Sequence, residues 1–164
     1  MVKVLVAASI AWPLVMAAGV WDRAVTGGSI WTDILYAAAS RICHQRPERS
    51  FHTAGVKWPV CGRCSGLYLA APLGALAAVS MGRRRRRPAT TRAGRRRIQN
   101  INALLVALAS LPTAVTIVAE WSGLLPVSTL ARALAALPLG AAIAFVIVRV
   151  VARPPQAIEY TGAA

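Results

Sequence analysis

Apolar residues are grouped in four long blocks that predict four membrane-spanning helices. The blocks contain few charged side chains and cover residues 2–21, 65–81, 98–121 and 127–151. At 1.5 Å of rise per residue, about 20 apolar residues cross a hydrocarbon core of roughly 30 Å. A cleaved signal peptide is the alternative for the first block. Its apolar run continues past Trp12-Pro13 to Trp21, however, which favours a retained helix. The pattern therefore predicts an all-α, polytopic membrane protein with a single membrane domain over residues 1–164.

The segment between the first two blocks, residues 22–64, is predicted to be a loop with one shorter helix. Apolar residues recur at helical spacing between positions 29 and 42, but Asp33 and Arg41 interrupt the apolar pattern. We interpret this stretch as an interfacial or re-entrant helix. A fifth membrane span is the alternative.

Positive charge is concentrated in the loop at residues 82–97. It contains nine of the 19 Lys and Arg residues and no acidic residue. The positive-inside rule makes this loop cytoplasmic. Both termini, including the tail at 152–164, are then cytoplasmic, and the 22–64 loop is extracytoplasmic. The expected location is the inner (plasma) membrane.

A net charge of +14 also raises the question of nucleic-acid binding. That function needs a folded basic face with polar or aromatic readers. Here the basic run lies between two apolar blocks, so the expected partner is the lipid bilayer and not a nucleic acid.

All three cysteines and both histidines lie in the predicted extracytoplasmic loop. Cys61 and Cys64 form a C-x-x-C pair where the second apolar block begins. Such a pair can direct two sulfurs to one metal, and a helix N-terminus stabilises thiolates. We predict a metal site, with zinc as the expected ion and iron or an iron–sulfur cluster as alternatives. The predicted ligands are Cys43, His44, Cys61 and Cys64, with His52 in reserve.

Other functions remain open for the same residues. Cysteines on the oxidising side of a membrane usually pair, so a thiol–disulfide oxidoreductase using Cys61 and Cys64 is one alternative. An inert structural role is another. A non-catalytic subunit of a membrane complex, or a homo-oligomer, would suit helices rich in Ala, Gly and Leu. Whether the protein is an enzyme is left open at this point.

Arginines accompany the cysteines along the chain. Because guanidinium groups bind phosphate and carboxylate in a bidentate way, Arg46, Arg49 and Arg63 predict an anionic lipid or small molecule nearby. Ordinary interfacial positions for these side chains are the alternative. The candidate catalytic residues are Arg49, Ser50, Arg63 and Glu120. Glu120 ends the third apolar block, where we expect it to be solvated or paired with Arg132.

Two strings in the loop are distinctive: CHQRPERSFH from Cys43 to His52, and PVCGRCSGLY from Pro59 to Tyr68. They resemble the membrane family catalogued as domain of unknown function 2085, closely over residues 40 to 75. The resemblance implies a small multi-helix membrane protein and carries no assigned activity. The residues it implies to be functional are Cys43, His44, Arg49, Ser50, Cys61, Arg63, Cys64 and Gly66.

Overall fold

The computed structural model describes residues 1–84, 92–123 and 125–152. Within these ranges the chain forms five α-helices and one β-hairpin. In chain order they are α1 (Val2–Thr26), α2 (Ile30–Ser40), β1 (Ser50–Thr53), β2 (Val56–Cys61), α3 (Gly62–Arg84), α4 (Arg92–Trp121) and α5 (Thr129–Val151), with a 3-10 turn at Pro47–Arg49 before β1. Residues 85–91 of the predicted basic loop and 153–164 of the predicted tail lie outside the described residues.

Four helices of the described chain, α1, α3, α4 and α5, are long and apolar enough to cross a membrane. This confirms the predicted fold class, although α1 continues to Thr26 and α3 already begins at Gly62. In α4 only 6% of the most apolar stretch is buried by protein. Its outward Leu and Val side chains are therefore available to lipid.

The shorter helix α2 has 11 residues, which give roughly 16 Å of rise. That is about half the thickness of a hydrocarbon core. Ser29 begins the helix with a capping box that it forms with Thr32. The predicted interfacial helix is therefore present, and its length does not support the alternative of a fifth span.

Helices α3 and α5 approach closely because glycine stands where their backbones meet. A Cβ atom at Gly66 would collide with the carbonyl group of Ala133, and one at Gly74 with that of Ala141. The two contacts follow the same order along both helices, so α3 and α5 run parallel. Small residues allow this close packing between membrane helices. Gly66, which the family resemblance implies to be functional, thus has a packing role.

The helix contacts also define the two ends of the bundle. Near one end, Val2 and Leu5 of α1 pack against a cluster formed by Ala78 of α3 and Val148 of α5. Helix α3 finishes at this end with Arg84, inside the predicted basic loop. The N-termini of α3 and α5 and the C-terminus of α4 meet at the opposite end, which carries the hairpin and all three cysteines.

The hairpin was not predicted from the sequence. Its turn residues Ala54 and Gly55 have φ values of 51° and 78°, as expected for a two-residue type I′ turn. Alanine is uncommon at such a position, so the turn signal in the sequence is weak. The strands place Ser50 opposite Cys61. The hairpin therefore returns the chain to the point where Cys61 leads into α3.

Candidate functional site

The three cysteine sulfurs converge at the N-terminus of α3. The Sγ atoms of Cys43, Cys61 and Cys64 all lie within 4.8 Å of one another. Three sulfurs bound to one tetrahedral zinc at about 2.3 Å would be roughly 3.8 Å apart. The cluster can therefore hold a metal ion after only a small contraction.

Cys43 reaches this cluster because the chain turns inward directly after α2. Its backbone N–H donates to the carbonyl of Ala39 at 3.0 Å. The side chain is buried and packs in a core with Met16 and Val60. In turn, the backbone N–H of Cys61 donates to the Cys43 sulfur at 3.1 Å. The hairpin and the end of α2 are thus joined at a sulfur atom.

Gln45 holds the turn that follows Cys43, and sequence reasoning missed this residue. Its φ of 47° places it in the left-handed region, which non-glycine residues seldom adopt. The side-chain amide donates to the carbonyl of Tyr36 at 2.7 Å, and the Lys57 ammonium donates to the Gln45 carbonyl at 2.8 Å. Three segments are therefore fastened beside the cysteines. The one indication of this role in the sequence was that Gln45 belongs to the CHQ string.

Hydrogen bonds lower the pKa of the Cys61 thiol. The Cys64 thiol is the largest cause. Together with the backbone N–H groups of Cys64 and Arg63 and the Cys43 thiol, it lowers the pKa of Cys61 from 9.0 to about 5, although burial opposes the shift. This shift favours the thiolate form of Cys61. The thiolate is the form in which cysteine binds metals and attacks disulfides.

Glu120 at the end of α4 is surrounded by three guanidinium groups. Its Oε1 accepts from Arg132 at 2.7 Å and pairs with Arg49 at 3.0 Å, while Oε2 accepts from Arg63 at 2.8 Å. The Glu120 side chain is only 12% exposed. Of the two expectations for Glu120, the solvated carboxylate is wrong, and the pairing with Arg132 is found. The ion cluster links α3, α4, α5 and the turn before β1.

A cavity of about 370 Å³ adjoins the sulfur cluster and the guanidinium groups. This volume is at the lower end of the range for small-molecule sites. Its walls contain the three cysteines, four arginines, His44 and two apolar residues: Cys43, Cys61, Cys64, Arg46, Arg49, Arg63, Arg132, His44, Ile42 and Trp121. The arginines predicted to attract an anion thus face the same space as the sulfurs.

The remaining predicted site residues lie apart from the sulfurs. His44 is exposed and lines the cavity, but among the described residues it is not a member of the sulfur cluster. His52 is exposed on β1 opposite Lys57. Ser50 is buried, and its hydroxyl donates to the Arg46 carbonyl at 2.9 Å. Ser50 therefore fastens the turn, and the cavity walls do not include it.

Comparison with known proteins gives a family and two short similarities. A family model described as a predicted membrane protein (DUF2085) matches residues 43–146. An uncharacterized protein of Methanocaldococcus jannaschii is 59% identical over 34 residues, which are 21% of this chain and 22% of that protein. An uncharacterized protein of Methanothermobacter thermautotrophicus is 57% identical over 30 residues, 18% of this chain and 27% of that protein. The similarity thus spans about a quarter of the length of these curated relatives. No solved structure matches the chain significantly.

Proposed function

The chain belongs to the DUF2085 family of predicted membrane proteins, and on that premise we propose that it is a membrane metalloprotein with a zinc site at one end of its helix bundle. Cys43, Cys61 and Cys64 supply three ligands, and His44 supplies the fourth. Three thiolates and one imidazole form a known tetrahedral zinc set.

The observation that carries this proposal is the grouping of three sulfurs within 4.8 Å. A disulfide joins two sulfurs at about 2.05 Å and has no use for a third. A tetrahedral metal uses all three. Cys43 comes from the turn after α2, whereas Cys61 and Cys64 come from the start of α3, so a metal would join two separate segments. The N–H···S bond from Cys61 to Cys43 supports the same arrangement, because such bonds orient metal-binding thiolates.

His44 is proposed as the fourth ligand because it follows Cys43 directly and lines the cavity beside the sulfurs. His52 is exposed on β1 and serves as the matched control histidine. If a His44→Ala variant kept full zinc affinity, the fourth ligand would instead be a group that enters from the cavity.

The metal site is proposed to lie on the extracytoplasmic face of the plasma membrane, with both termini cytoplasmic. The support is the run of nine basic residues in 82–97, which in the sequence covers the C-terminus of α3 and the N-terminus of α4, whereas the cysteines lie at the opposite ends of these helices. Arg46, Arg49 and Arg63 line the same cavity as the sulfurs. We therefore include an anionic lipid headgroup or small anion as the ligand of this face.

Metal analysis of the purified protein tests the zinc site. We expect one zinc per chain, lost when Cys43, Cys61 or Cys64 is replaced by Ser and retained in His52→Ala. Thiol alkylation separates the alternatives: metal-bound thiols become reactive when a chelator is added, whereas a disulfide becomes reactive only with a reductant. A metal-free protein with a reducible Cys61–Cys64 bond would replace this proposal with a thiol–disulfide oxidoreductase.

A further inference from the structure

The cavity beside the sulfurs carries more positive charge than its protein neighbours balance. Four guanidinium groups line it, and one carboxylate, that of Glu120, pairs with three of them. A zinc ion on three thiolates would add one further negative charge. Two positive charges then remain without a counter-charge around the cavity, and the Arg132 and Arg63 side chains there are only 10% and 19% exposed. Shielded charges of this kind are normally paired.

Two of the guanidinium groups also keep hydrogen-bond donors that lack a partner. The Nε–H groups of Arg63 and Arg132 are buried and, within the described part of the chain, donate to no acceptor. Arg132 is the more informative of the two, because the residue is 8% exposed and still lines the cavity. A buried donor left unpaired is unfavourable relative to a satisfied one. Each of these two arginines, which line the cavity, therefore carries a donor without an acceptor.

We propose that this cavity binds one dianionic oxyanion of the phosphate-monoester type, held by the guanidinium groups of Arg49, Arg63 and Arg132 next to the metal. Its charge balance rests on the proposed zinc site. Without a metal, the four guanidinium groups would still outnumber the Glu120 carboxylate, and the preference for an anion would persist. Glu120 acts as a positioning residue, because it holds the three guanidinium groups together and leaves their other N–H groups to the ligand.

The size and location of the cavity restrict what the ligand can be. A cavity of about 370 Å³ has room for a phosphate group and a small remainder, but not for acyl chains. The cavity lies where α3 and α5 begin and α4 ends, a level at which headgroups meet membrane helices. The phosphate monoester can therefore come from a small soluble molecule or from a lipid headgroup whose chains stay in the bilayer.

Calorimetry on zinc-loaded protein in phosphatidylcholine nanodiscs tests the charge requirement. Methyl phosphate and dimethyl phosphate are compared at mildly alkaline pH, where the monoester is a dianion because its second pKa is about 6. We expect methyl phosphate to bind roughly tenfold or more tightly than dimethyl phosphate, which is a monoanion. Equal affinities, or no binding of either compound, would overturn the proposal.

Two variants distinguish direct contacts between an arginine and the ligand from long-range attraction by the positively charged surface. Arg49→Gln removes the most exposed of the three guanidinium groups and is the variant that disturbs folding least. We expect it to weaken methyl phosphate binding roughly ten- to hundredfold, as loss of a charged hydrogen bond does. Arg41→Gln removes the same charge from an exposed residue that does not line the cavity. If both variants weakened binding equally, only a diffuse field would be acting and the site would be refuted.

Nanodiscs of different lipids identify the source of the phosphate. Phosphatidic acid has a monoester headgroup, and phosphatidylglycerol at equal content has a diester. Competition with methyl phosphate by phosphatidic acid alone would identify a lipid ligand, and no competition by either would identify a soluble one. Both results support the site, whereas equal competition by both lipids would contradict it. Zinc is measured in every sample: zinc without phosphate binding refutes this inference alone, and phosphate binding without zinc refutes the metal centre alone.

Discussion

Replacing Glu120 with Gln should destabilise the protein strongly, because it removes the one carboxylate that three arginines share. Gln keeps the size of the side chain and one acceptor oxygen. It loses the negative charge, and its amide group would face guanidinium donors. The three guanidinium groups would then repel each other across the junction of α3, α4 and α5.

The expected loss of stability depends on how far each arginine partner of Glu120 is shielded from water. The Arg132 and Arg63 side chains are 10% and 19% exposed, so water can solvate them little after the substitution. Arg49 is 34% exposed and can turn outward, so its share is small. Removing one partner of a buried ion pair costs about 3–5 kcal/mol. We expect a loss in this range for Glu120→Gln.

The assay is unfolding in mixed micelles with increasing SDS, followed by tryptophan fluorescence. Asp33→Asn is the matched control, because Asp33 also pairs with an arginine, Arg23, but is 72% exposed. That change should cost less than about 1 kcal/mol. The double variant Glu120→Gln/Arg132→Gln should be more stable than the sum of its single variants predicts, because each removes the other's unpaired partner. If Glu120→Gln cost no more than Asp33→Asn, the ion cluster would not stabilise this end of the bundle.

Three further predictions follow from the same structure. Gly66→Ala should cost about 1–3 kcal/mol in the SDS assay, because its methyl group meets the backbone of α5, whereas Gly82→Ala in open space should change stability by less than about 0.5 kcal/mol. Chelation should lower the unfolding temperature and expose the buried Cys43 to maleimide, and added zinc should reverse both effects; unchanged labelling would argue against a bound metal. Gln45→Ala should weaken zinc binding about tenfold through the loss of its amide hydrogen bond to α2, with metal titration as the measure and unchanged affinity as the contrary result.

The helices could be predicted from the sequence because each apolar block forms a membrane helix without needing specific contacts to distant residues. Lipid surrounds the apolar side chains, and the backbone of each helix forms its hydrogen bonds within the helix. The length and composition of a segment therefore predict a membrane span without reference to the rest of the chain. Asp33 and Arg41 likewise marked the short helix near residues 30–40 as interfacial. The boundaries were less certain, because α1 continues past Trp21 into the polar residues up to Thr26.

The site was only partly predictable, because its geometry depends on contacts between distant residues. The cysteines were visible as a motif, but the pairing of Arg63 with Glu120 joins positions 57 residues apart. The hairpin was missed because Ala54 at a left-handed position is not a typical turn residue. The family motif implied that Gly66 is functional. Its packing role is visible only in the structure, where a Cβ atom at Gly66 would collide with Ala133 of α5.

X-ray absorption at the zinc edge of the purified protein tests most directly whether the three thiols share one metal. The account predicts a first shell of three sulfurs at about 2.3 Å and one nitrogen at about 2.0 Å. It also predicts that Cys43→Ser reduces the sulfur count to two. A protein isolated without stoichiometric metal, or a shell that still contains three sulfurs after Cys43 is replaced, would contradict the proposed centre.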